Sequence, residues 1–233
     1  MAERPLFIPT ASGRSFVRTI NINFNWSPGF SLTQKQKSIR SLHESAAIKF
    51  GISNILEVST KSNIKLGVNL SAFNLKNSFV HSFENYPVEN IFQSSKVFAY
   101  GGPYKDLLQL SPAHAKKDSR LRESGSLTGF SFFGENWPLE PVSAFYDWIY
   151  INSLISNEYL EKQVLNFEAF TDIEFNPKKS INCQAYSLAL YVSLRKRGIS
   201  NTNLKCRDKF LKLVQENSRE FYQADINTQG LLF

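Results

Sequence analysis

The stretch YPVENIFQSSKVF, residues 86–98, places an acid, an amide and a lysine in an otherwise apolar frame. The apolar positions predict a buried helix that begins near Pro87, where a missing amide hydrogen does least harm. In such a helix Glu89, Gln93 and Lys96 fall four and three residues apart and share one face. Stripes of this kind are common on exposed helices, so the spacing by itself is only a weak indication of a functional site.

Around this stretch, periodic patterns predict a helix-rich α+β fold. Polar and apolar residues alternate through TININFNW, residues 19–26, as in a half-buried strand. Ser31 or Thr33 is expected to cap the helix that follows. Asn182 is expected to cap a later helix, which Gly198 ends. The predicted strands are 19–26 and 54–59, and the predicted helices are 31–50, 86–98, 111–125, 141–156, 182–198 and 205–222.

Composition and charge narrow the class of protein. The 233 residues are 42% hydrophobic and include 20 phenylalanines, which predicts one folded domain over residues 1–233. A net charge of +7 favours an anionic partner such as nucleic acid or a phosphorylated ligand. No apolar run approaches the roughly 20 residues of a membrane span, and the start of the sequence has no signal-type apolar segment. We therefore expect a soluble cytoplasmic protein without a membrane partner.

The sequence lacks the short motifs of common enzyme classes. It contains no glycine-rich nucleotide loop, no HExxH zinc motif and no GxSxG nucleophile elbow. Cys183 and Cys206 lie outside any CxxC pair, so two buried free thiols are expected instead of a disulfide framework. His43, His81 and His114 are far apart and are expected to be structural or solvated. The remaining possibility is catalysis by carboxylate and lysine side chains, and we expect neither a metal nor a cofactor.

The helix stretch resembles a motif of the NADAR (YbiA-like) superfamily. The order Y-P-x-E-x-x-F-Q-x-x-K over residues 86–96 is similar to the family pattern, with Asn90 where that pattern has histidine. Other segments resemble family segments in the same order, and NLSAFNL is similar to a family strand. These segments are NLSAFNL at 69–75, SPAHAKKDSR at 111–120, ENWPLEPVSAFYDWIYINSL at 135–154 and SINCQAYSLALYVSL at 180–194. The resemblance extends over residues 66–194 and implies a NADAR-type fold.

The resemblance is more specific to one branch, the antitoxins associated with DarT-type DNA ADP-ribosyltransferases. It is carried by RPLFIP at 4–9, QKQKSIRSLH at 34–43, ILEVSTKSN at 55–63 and FTDIEFNPKKSINCQAYS at 170–187. It implies a glycohydrolase that removes ADP-ribose from the guanine amino group of DNA and so neutralises a cognate DarT-type toxin. ADP-ribosylated DNA, released ADP-ribose and the toxin are the implied partners. Within the implied domain, residues 1–65 form a branch-specific part packed on the core of 66–194, and 199–233 form a C-terminal helix and tail.

The resemblance also implies catalytic positions. Glu89 and Trp137 match functional positions of the superfamily. A late aspartate of the superfamily is matched by position by Asp172. The ILEVSTKS segment is similar to the family segment that precedes this aspartate, so Lys61 or Glu57 is the alternative occupant of the site.

The implied reaction breaks the bond between the anomeric carbon of ribose and a guanine nitrogen. It needs a proton for the leaving base and stabilisation of the positive charge that develops on the sugar. Glu89 is expected to act as acid or base. Lys96, or Lys61 behind it, is expected to attack the anomeric carbon as a neutral amine and form a Schiff base. The alternative is direct attack by water, with Lys96 pairing Glu89 or binding pyrophosphate.

Other residues are expected to bind the ligand. Gln93 lies on the face of the catalytic acid in the predicted helix. Trp137 is expected to stack on adenine or guanine, or else to pack as a structural residue. Lys116 and Arg120 are expected to bind pyrophosphate or the DNA backbone, with a solvated basic face as the alternative. Asn182, at a helix start, is expected to bind ribose or phosphate.

Two other functions stay open at this point. One is the N-glycosidase activity of the superfamily on ribosylated pyrimidine intermediates of riboflavin synthesis, against which the antitoxin-type N-terminal segments count. The other is a non-enzymatic module that neutralises a toxin by binding the toxin or its DNA product.

Overall fold

The computed structural model describes residues 1–77 and 85–217. The strands are β1 (Ala2–Pro9), β2 (Val17–Phe24), β3 (Ile55–Glu57), β4 (Lys96–Phe98), β5 (Leu127–Phe132), β6 (Glu135–Trp137) and β7 (Ala169–Thr171). The α-helices are α1 (Leu32–Phe50), α2 (Lys65–Asn69), α3 (Val88–Ser94), α4 (Pro112–Lys117), α5 (Arg120–Glu123), α6 (Ala144–Ile155), α7 (Glu158–Val164), α8 (Gln184–Lys196), α9 (Asn201–Lys205) and α10 (Arg207–Asn217). A 3₁₀ helix spans Lys105–Gln109. The predicted helix-rich α+β class is confirmed.

The chain forms two compact units, of which the first consists of Met1–Ser71, Glu158–Pro177 and Cys183–Ser200. Its sheet has the strand order β2-β1-β7-β3. β1 and β2 are antiparallel neighbours, whereas β3 runs parallel to β7. Sequence patterns predicted β2 and β3, but β1 and β7 were missed.

Helix α1 packs on this sheet in the first unit. Ile39, Leu42 and Ala46 follow helical spacing and are buried, whereas Leu32 at the start of the helix is exposed. The amide of Gln34 donates to Oγ of Ser31 over 3.3 Å, which confirms the predicted N-cap. The buried core that α1 shares with the strands contains Leu6, Ile22, Phe24, Ile39, Leu42, Ala46, Ile55, Ala169 and Ile173.

The second unit consists of Ala72–Asn157, Lys178–Asn182 and the chain from Asn201 onwards. Its sheet is antiparallel with the strand order β4-β5-β6. Helix α6, within the predicted helix over residues 141–156, packs aromatic rings on this sheet: the ring of Phe145 stacks on that of Phe130 at 4.7 Å. The single domain over residues 1–233 stays a prediction.

The predicted helix over residues 86–98 is too long. α3 ends at Ser94, and Lys96–Phe98 form β4, which pairs with β5. Lys96 therefore does not continue the helical face of Glu89, and this part of the prediction is wrong. The cause is the distant strand β5, which provides hydrogen bonds to the backbone of Lys96–Phe98 that a sequence window does not contain.

Two other helix boundaries differ from those predicted. Residues 111–125 form two short helices, because Asp118 adopts a non-helical ψ of 131° between α4 and α5. Helix α8 begins at Gln184 with Cys183 as its N-cap residue, so Asn182 is not the cap. The predicted end of this helix is confirmed, since Gly198 adopts a positive φ of 79°.

Smaller predictions were also wrong. The NLSAFNL stretch is not a strand, since α2 ends at Asn69 and a turn follows. The terminal helix is interrupted between α9 and α10, and its predicted end at residue 222 lies outside the described residues, as does His81. Cys183 is buried as expected, but Cys206 is exposed.

None of the helices in residues 1–77 and 85–217 is long and apolar enough to cross a membrane.

Candidate active site

Helix α3 of the second unit carries polar side chains in a buried environment. Glu89 and Gln93 are buried together with the apolar residues of this helix. The amide of Val88 donates to the carbonyl oxygen of Leu75 over 3.0 Å, and the amide of Glu89 donates to that of Ala72 over the same distance. Because these bonds satisfy two amides that a helix start leaves unpaired, they fix the position of the Glu89 backbone.

Two side chains contact the carboxylate of Glu89 through the same oxygen. Gln93, one helical turn further on, donates from Nε2 to Oε1 over 2.8 Å. Nζ of Lys116, on α4, lies 3.6 Å from Oε1. The carbonyl oxygen Oε1 of Gln93 is buried and has no hydrogen-bond partner among the described residues. Gln93 can therefore accept a hydrogen bond from a ligand.

Lys96 opens β4 and is only 3% exposed. Its Nζ lies 4.9 Å from the ring centroid of Phe92. Burial lowers the pKa of Lys96 to about 8; the negative charge of Glu89 opposes this change and the positive charge of Lys116 adds to it. At neutral pH a small fraction of this amine is therefore neutral and nucleophilic.

Glu89, Gln93, Lys96 and Lys116 are thus brought together from α3, β4 and α4. The short helix α4 has Ser111 as its N-cap residue and Pro112 in the first turn. Lys116 is 58% exposed by its side chain, and its Nζ lies 5.6 Å above the ring of Phe73. The cluster therefore combines buried groups with one cation that reaches solvent.

Trp137 stands in the same sheet as Lys96. Lys96 pairs with Phe130, and Phe130 pairs with Trp137, so the three side chains lie in a row on one face of the sheet. The indole of Trp137 is only 2% exposed and packs against Phe145 at 5.3 Å, with the guanidinium of Arg207 at 5.1 Å. These contacts favour the structural alternative for Trp137, and its ligand-stacking role stays a prediction.

Arg120 and Asn182 are not part of the Glu89 cluster in their observed contacts. The guanidinium of Arg120 pairs with Asp106 at 2.6 Å and with Asp118 at 2.9 Å, and it lies 4.5 Å from the ring centroid of Tyr104. The hydroxyl of Ser180 donates to the backbone carbonyl of Asn182 over 3.2 Å. Ligand binding by Arg120 and Asn182 stays a prediction.

Asn90, at the histidine position of the family pattern, has a structural role. Its side-chain amide nitrogen donates to the carbonyl oxygens of Leu107 and Leu110, each over 2.8 Å. Leu107 lies within the 3₁₀ helix and Leu110 is its C-cap residue, so Asn90 attaches α3 to that segment. A proton-transfer role for this position is not supported, because a carboxamide does not titrate.

The first unit contains a second buried cluster, built on two carboxyl groups. Glu57, at the end of β3, is 2% exposed and accepts hydrogen bonds from Ser59 Oγ at 2.6 Å, Thr171 Oγ1 at 2.7 Å and the Ile173 amide at 2.9 Å. Burial, followed by the charge of Asp172, raises the pKa of Glu57 to about 8, although the three donors lower it. Glu57 is therefore largely protonated at neutral pH.

Asp172 follows β7 and helps to form the turn after it. Its Oδ1 accepts from the amides of Glu174 at 3.0 Å and Phe175 at 3.2 Å, and its Oδ2 accepts from Nε2 of Gln184 at 2.9 Å. The amide of Lys61 donates to Oγ of Ser59 over 3.1 Å, next to Glu57. Catalytic roles for Asp172 and Lys61 stay predictions.

The ring of His43 also reaches this second cluster, which the sequence did not indicate. Its Nε2 lies 2.8 Å from Oγ1 of Thr171, and burial lowers the pKa of His43 to about 4. His43 and Thr171 are separated by 128 residues, so no local pattern links them. Ala169 and Phe170 are flanked by Glu168 and Asp172, so the apolar stretch is too short to signal in the sequence the buried strand that carries Thr171.

A sequence model for DarT1-associated NADAR antitoxins matches residues 2–224. The chain belongs to this family. Membership confirms the predicted NADAR-type branch and connects this NADAR antitoxin with a DarT toxin. No curated protein matches the sequence.

Within the NADAR antitoxin, the described residues 1–77 and 85–217 contain no group of three or more histidine, cysteine, aspartate or glutamate side chains arranged to hold a metal ion. The two clusters are instead built from carboxyl, amine, amide and hydroxyl groups. Such groups support proton transfer and nucleophilic attack.

Proposed function

We propose that this NADAR antitoxin is an ADP-ribosyl glycohydrolase that removes ADP-ribose from the guanine amino group of DNA. The observation that carries the proposal is the buried amine of Lys96 beside the buried carboxylate of Glu89. A charged pair that contributes only to stability is usually exposed, since burying charges costs free energy. The link with a DarT toxin, a class of DNA ADP-ribosyltransferase, supports the choice of substrate.

Glu89 acts as the acid–base group in this proposal. The bond from the anomeric carbon to the exocyclic nitrogen breaks only if guanine receives a proton, because the unprotonated amine is a poor leaving group. The hydrogen bond from Gln93 orients the carboxyl group of Glu89. Oε1 of Gln93, which has no partner among the described residues, accepts a hydrogen bond from the guanine amino group or a ribose hydroxyl.

Lys96 acts as the nucleophile. Its neutral amine attacks the anomeric carbon, the carbon–guanine bond breaks as guanine takes up a proton, and the ribose ring opens to a Schiff base with Nζ. Water then hydrolyses the Schiff base, releasing ADP-ribose and the free amine. The lowered pKa of Lys96 supports this route, because a lysine with its ordinary pKa is almost fully protonated at neutral pH. The competing route is direct attack by water, in which Lys96 binds pyrophosphate.

Lys116 provides the contact with the anionic substrate. Its exposed ammonium group can approach a phosphate, and the net charge of +7 adds a general attraction to DNA. The modified guanine must leave the base stack to reach buried groups such as Glu89.

The proposal is tested with a DNA oligonucleotide that carries one ADP-ribosylated guanine. We expect the wild-type protein to release ADP-ribose and restore unmodified DNA. Glu89→Gln and Lys96→Met should each lose activity by a factor on the order of 100 or more. The controls are Glu123→Gln and Lys117→Met, which alter exposed residues of the same unit and should keep full activity.

Each other result has a defined meaning. Tight binding without release of ADP-ribose identifies a non-enzymatic antitoxin. Turnover of a ribosylated riboflavin-pathway intermediate, with no action on DNA, identifies the N-glycosidase alternative. Borohydride should trap a covalent adduct with wild type and Lys117→Met but not with Lys96→Met. Full turnover without a trapped adduct would instead support direct attack by water.

A further inference from the structure

A continuous row of hydrogen bonds in the first unit connects a partly exposed histidine with a buried carboxyl group. Nε2 of His43 lies 2.8 Å from Oγ1 of Thr171, and this oxygen lies 2.7 Å from Oε2 of Glu57. His43 lies on α1 and is partly exposed, whereas Thr171 and Glu57 are buried. The three side chains come from α1, β7 and β3 of one unit.

The remaining contacts of Glu57 determine where its proton resides. Oε1 accepts two hydrogen bonds, from the Ile173 amide and the hydroxyl of Ser59. Ser59 Oγ in turn accepts from the amide of Lys61. Among these contacts, Oε2 contacts only Thr171. When the carboxyl group is neutral, Oε1 is therefore the carbonyl oxygen that accepts both hydrogen bonds, and Oε2 carries the proton.

Thr171 has a single hydroxyl hydrogen, which allows two complementary arrangements. When Glu57 is ionised, Thr171 donates to Oε2, and Nε2 of His43 must carry the hydrogen that it donates to Thr171. When Glu57 is protonated, Oε2 donates to Thr171, and Thr171 donates to Nε2, so the ring hydrogen must be on Nδ1. The second arrangement holds one more proton than the first, and the imidazole is neutral in both.

We propose that His43, Thr171 and Glu57 form a proton relay through which the buried carboxyl of Glu57 exchanges its proton with solvent. A proton from water binds Nδ1 of His43 while the hydrogen on Nε2 passes to Oγ1 of Thr171. The hydroxyl hydrogen of Thr171 passes at the same time to Oε2 of Glu57. Release is the reverse, so each cycle moves one proton and leaves all three side chains in place.

The electrostatics of the cluster suit a relay. The pKa of Glu57 is raised to about 8, so both of its protonation states are populated near neutral pH. The pKa of His43 is lowered to about 4, so the ring does not retain the positive charge. Asp172 also acts on Glu57, because its negative charge favours protonation of Glu57. Burial, followed by the charges of Asp172 and Glu57, raises the pKa of the nearby Cys183 thiol.

The relay is tested by nitrogen-15 NMR of the His43 ring and carbon-13 NMR of the Glu57 carboxyl over one pH titration. We expect the hydrogen of His43 to move from Nδ1 to Nε2 as Glu57 loses its proton, with the same midpoint and no imidazolium signal. A histidine that is only structural would keep one tautomer or would become charged. Either result would overturn the proposal.

Variants separate the relay from general effects on folding. Glu57→Gln should hold His43 in the Nδ1–H form over the whole pH range in which wild-type Glu57 titrates, because the carboxamide nitrogen donates to Thr171 as the protonated carboxyl does. Thr171→Val should uncouple the His43 tautomer from the Glu57 titration, and Thr171→Ser should restore the coupling. Glu44→Gln, an exposed residue beside His43, is the matched control and should leave the switch unchanged.

The relay is independent of the proposed glycohydrolase activity, and its test requires no DNA. A tautomer switch in a protein that does not release ADP-ribose would support the relay and reject the proposed function. If Thr171→Val does not fold, the wild-type titration and the Glu57→Gln variant still decide the outcome.

Discussion

Nζ of Lys116 lies 3.6 Å from Oε1 of Glu89, and the two side chains are 58% and 6% exposed, respectively. One partner of the pair is therefore buried, and the other reaches solvent. An ion pair of this kind is weakened by solvent around the lysine, so its value for stability is small. Its larger effect is on the charge that surrounds Lys96.

Replacing Lys116 should make Lys96 more basic. The positive charge of Lys116 contributes to the low pKa of Lys96, so Lys116→Met should raise this pKa above about 8. The pH profile of ADP-ribose release should shift to higher pH in the same direction. Titration of Lys96 by carbon-13 NMR after reductive methylation measures the shift, and Lys117→Met is the control. An unchanged pKa would contradict the assigned charge coupling.

Lys96→Met should stabilise the protein while it abolishes activity. The pKa of Lys96 is about 10.5 in the unfolded chain and about 8 in the folded one, so the folded state binds its proton less tightly. This difference costs up to roughly 3 kcal/mol of the free energy of unfolding below pH 8, and the cost disappears as pH rises from about 8 to about 10.5. Urea denaturation at neutral and alkaline pH should show that the advantage of Lys96→Met decreases as pH rises.

Glu57→Gln should remove a pH dependence of the free energy of unfolding that is opposite in sign to that of Lys96. The pKa of Glu57 rises from 4.5 in the unfolded chain to about 8 in the folded one, so ionisation between these values destabilises the folded state. The free energy of unfolding of wild type should therefore fall more steeply than that of Glu57→Gln as pH increases through this window. Asp172→Asn should lower the pKa of Glu57, because it removes the neighbouring negative charge. Equal slopes for wild type and Glu57→Gln would show that Glu57 titrates normally.

Restoring the histidine of the family pattern at Asn90 should destabilise the protein. Asn90 is fully buried and donates to two carbonyl oxygens, an arrangement that an imidazole ring cannot reproduce with a single directed donor. Asn90→His should cost about 1–3 kcal/mol of unfolding free energy, and Asn90→Asp should cost more because a carboxylate has no donor. Denaturant unfolding measures both, and neither variant should gain activity. Wild-type stability in Asn90→Asp would refute the assigned contacts.

Local patterns predicted the elements whose causes are local. Ser31 caps α1 through the amide of Gln34, three residues away, and the buried face of that helix follows its own period. The alternation through β2 likewise matches its buried positions Ile22 and Phe24. The motif around Glu89 also identified the cluster with Gln93, since these residues are one helical turn apart.

Distant contacts account for the boundaries that were wrong. Lys96 lies in β4 and not in the helix, because β5, about thirty residues later in the chain, pairs with β4. In this pairing Lys96 lies opposite Phe130. Burial by the same neighbours sets the pKa of this lysine, which its spacing from Glu89 does not indicate. Asn90 looked like a missing histidine in the sequence, but the carbonyl groups of the 3₁₀ helix make it a structural donor.

The sequence by itself determined the α+β class and the family, and its motifs selected Glu89, Gln93, Lys96 and Lys116 as candidates, because motif order is a property of the chain. Only the tertiary structure decided that Lys96 starts a strand and is buried. It also decided that His43, Thr171 and Glu57 share one row of hydrogen bonds, although 114 residues separate Glu57 from Thr171. Hydrogen bonding and burial depend on distance in space. Folding brings residues together that are far apart along the chain, so a local sequence pattern does not reveal these contacts.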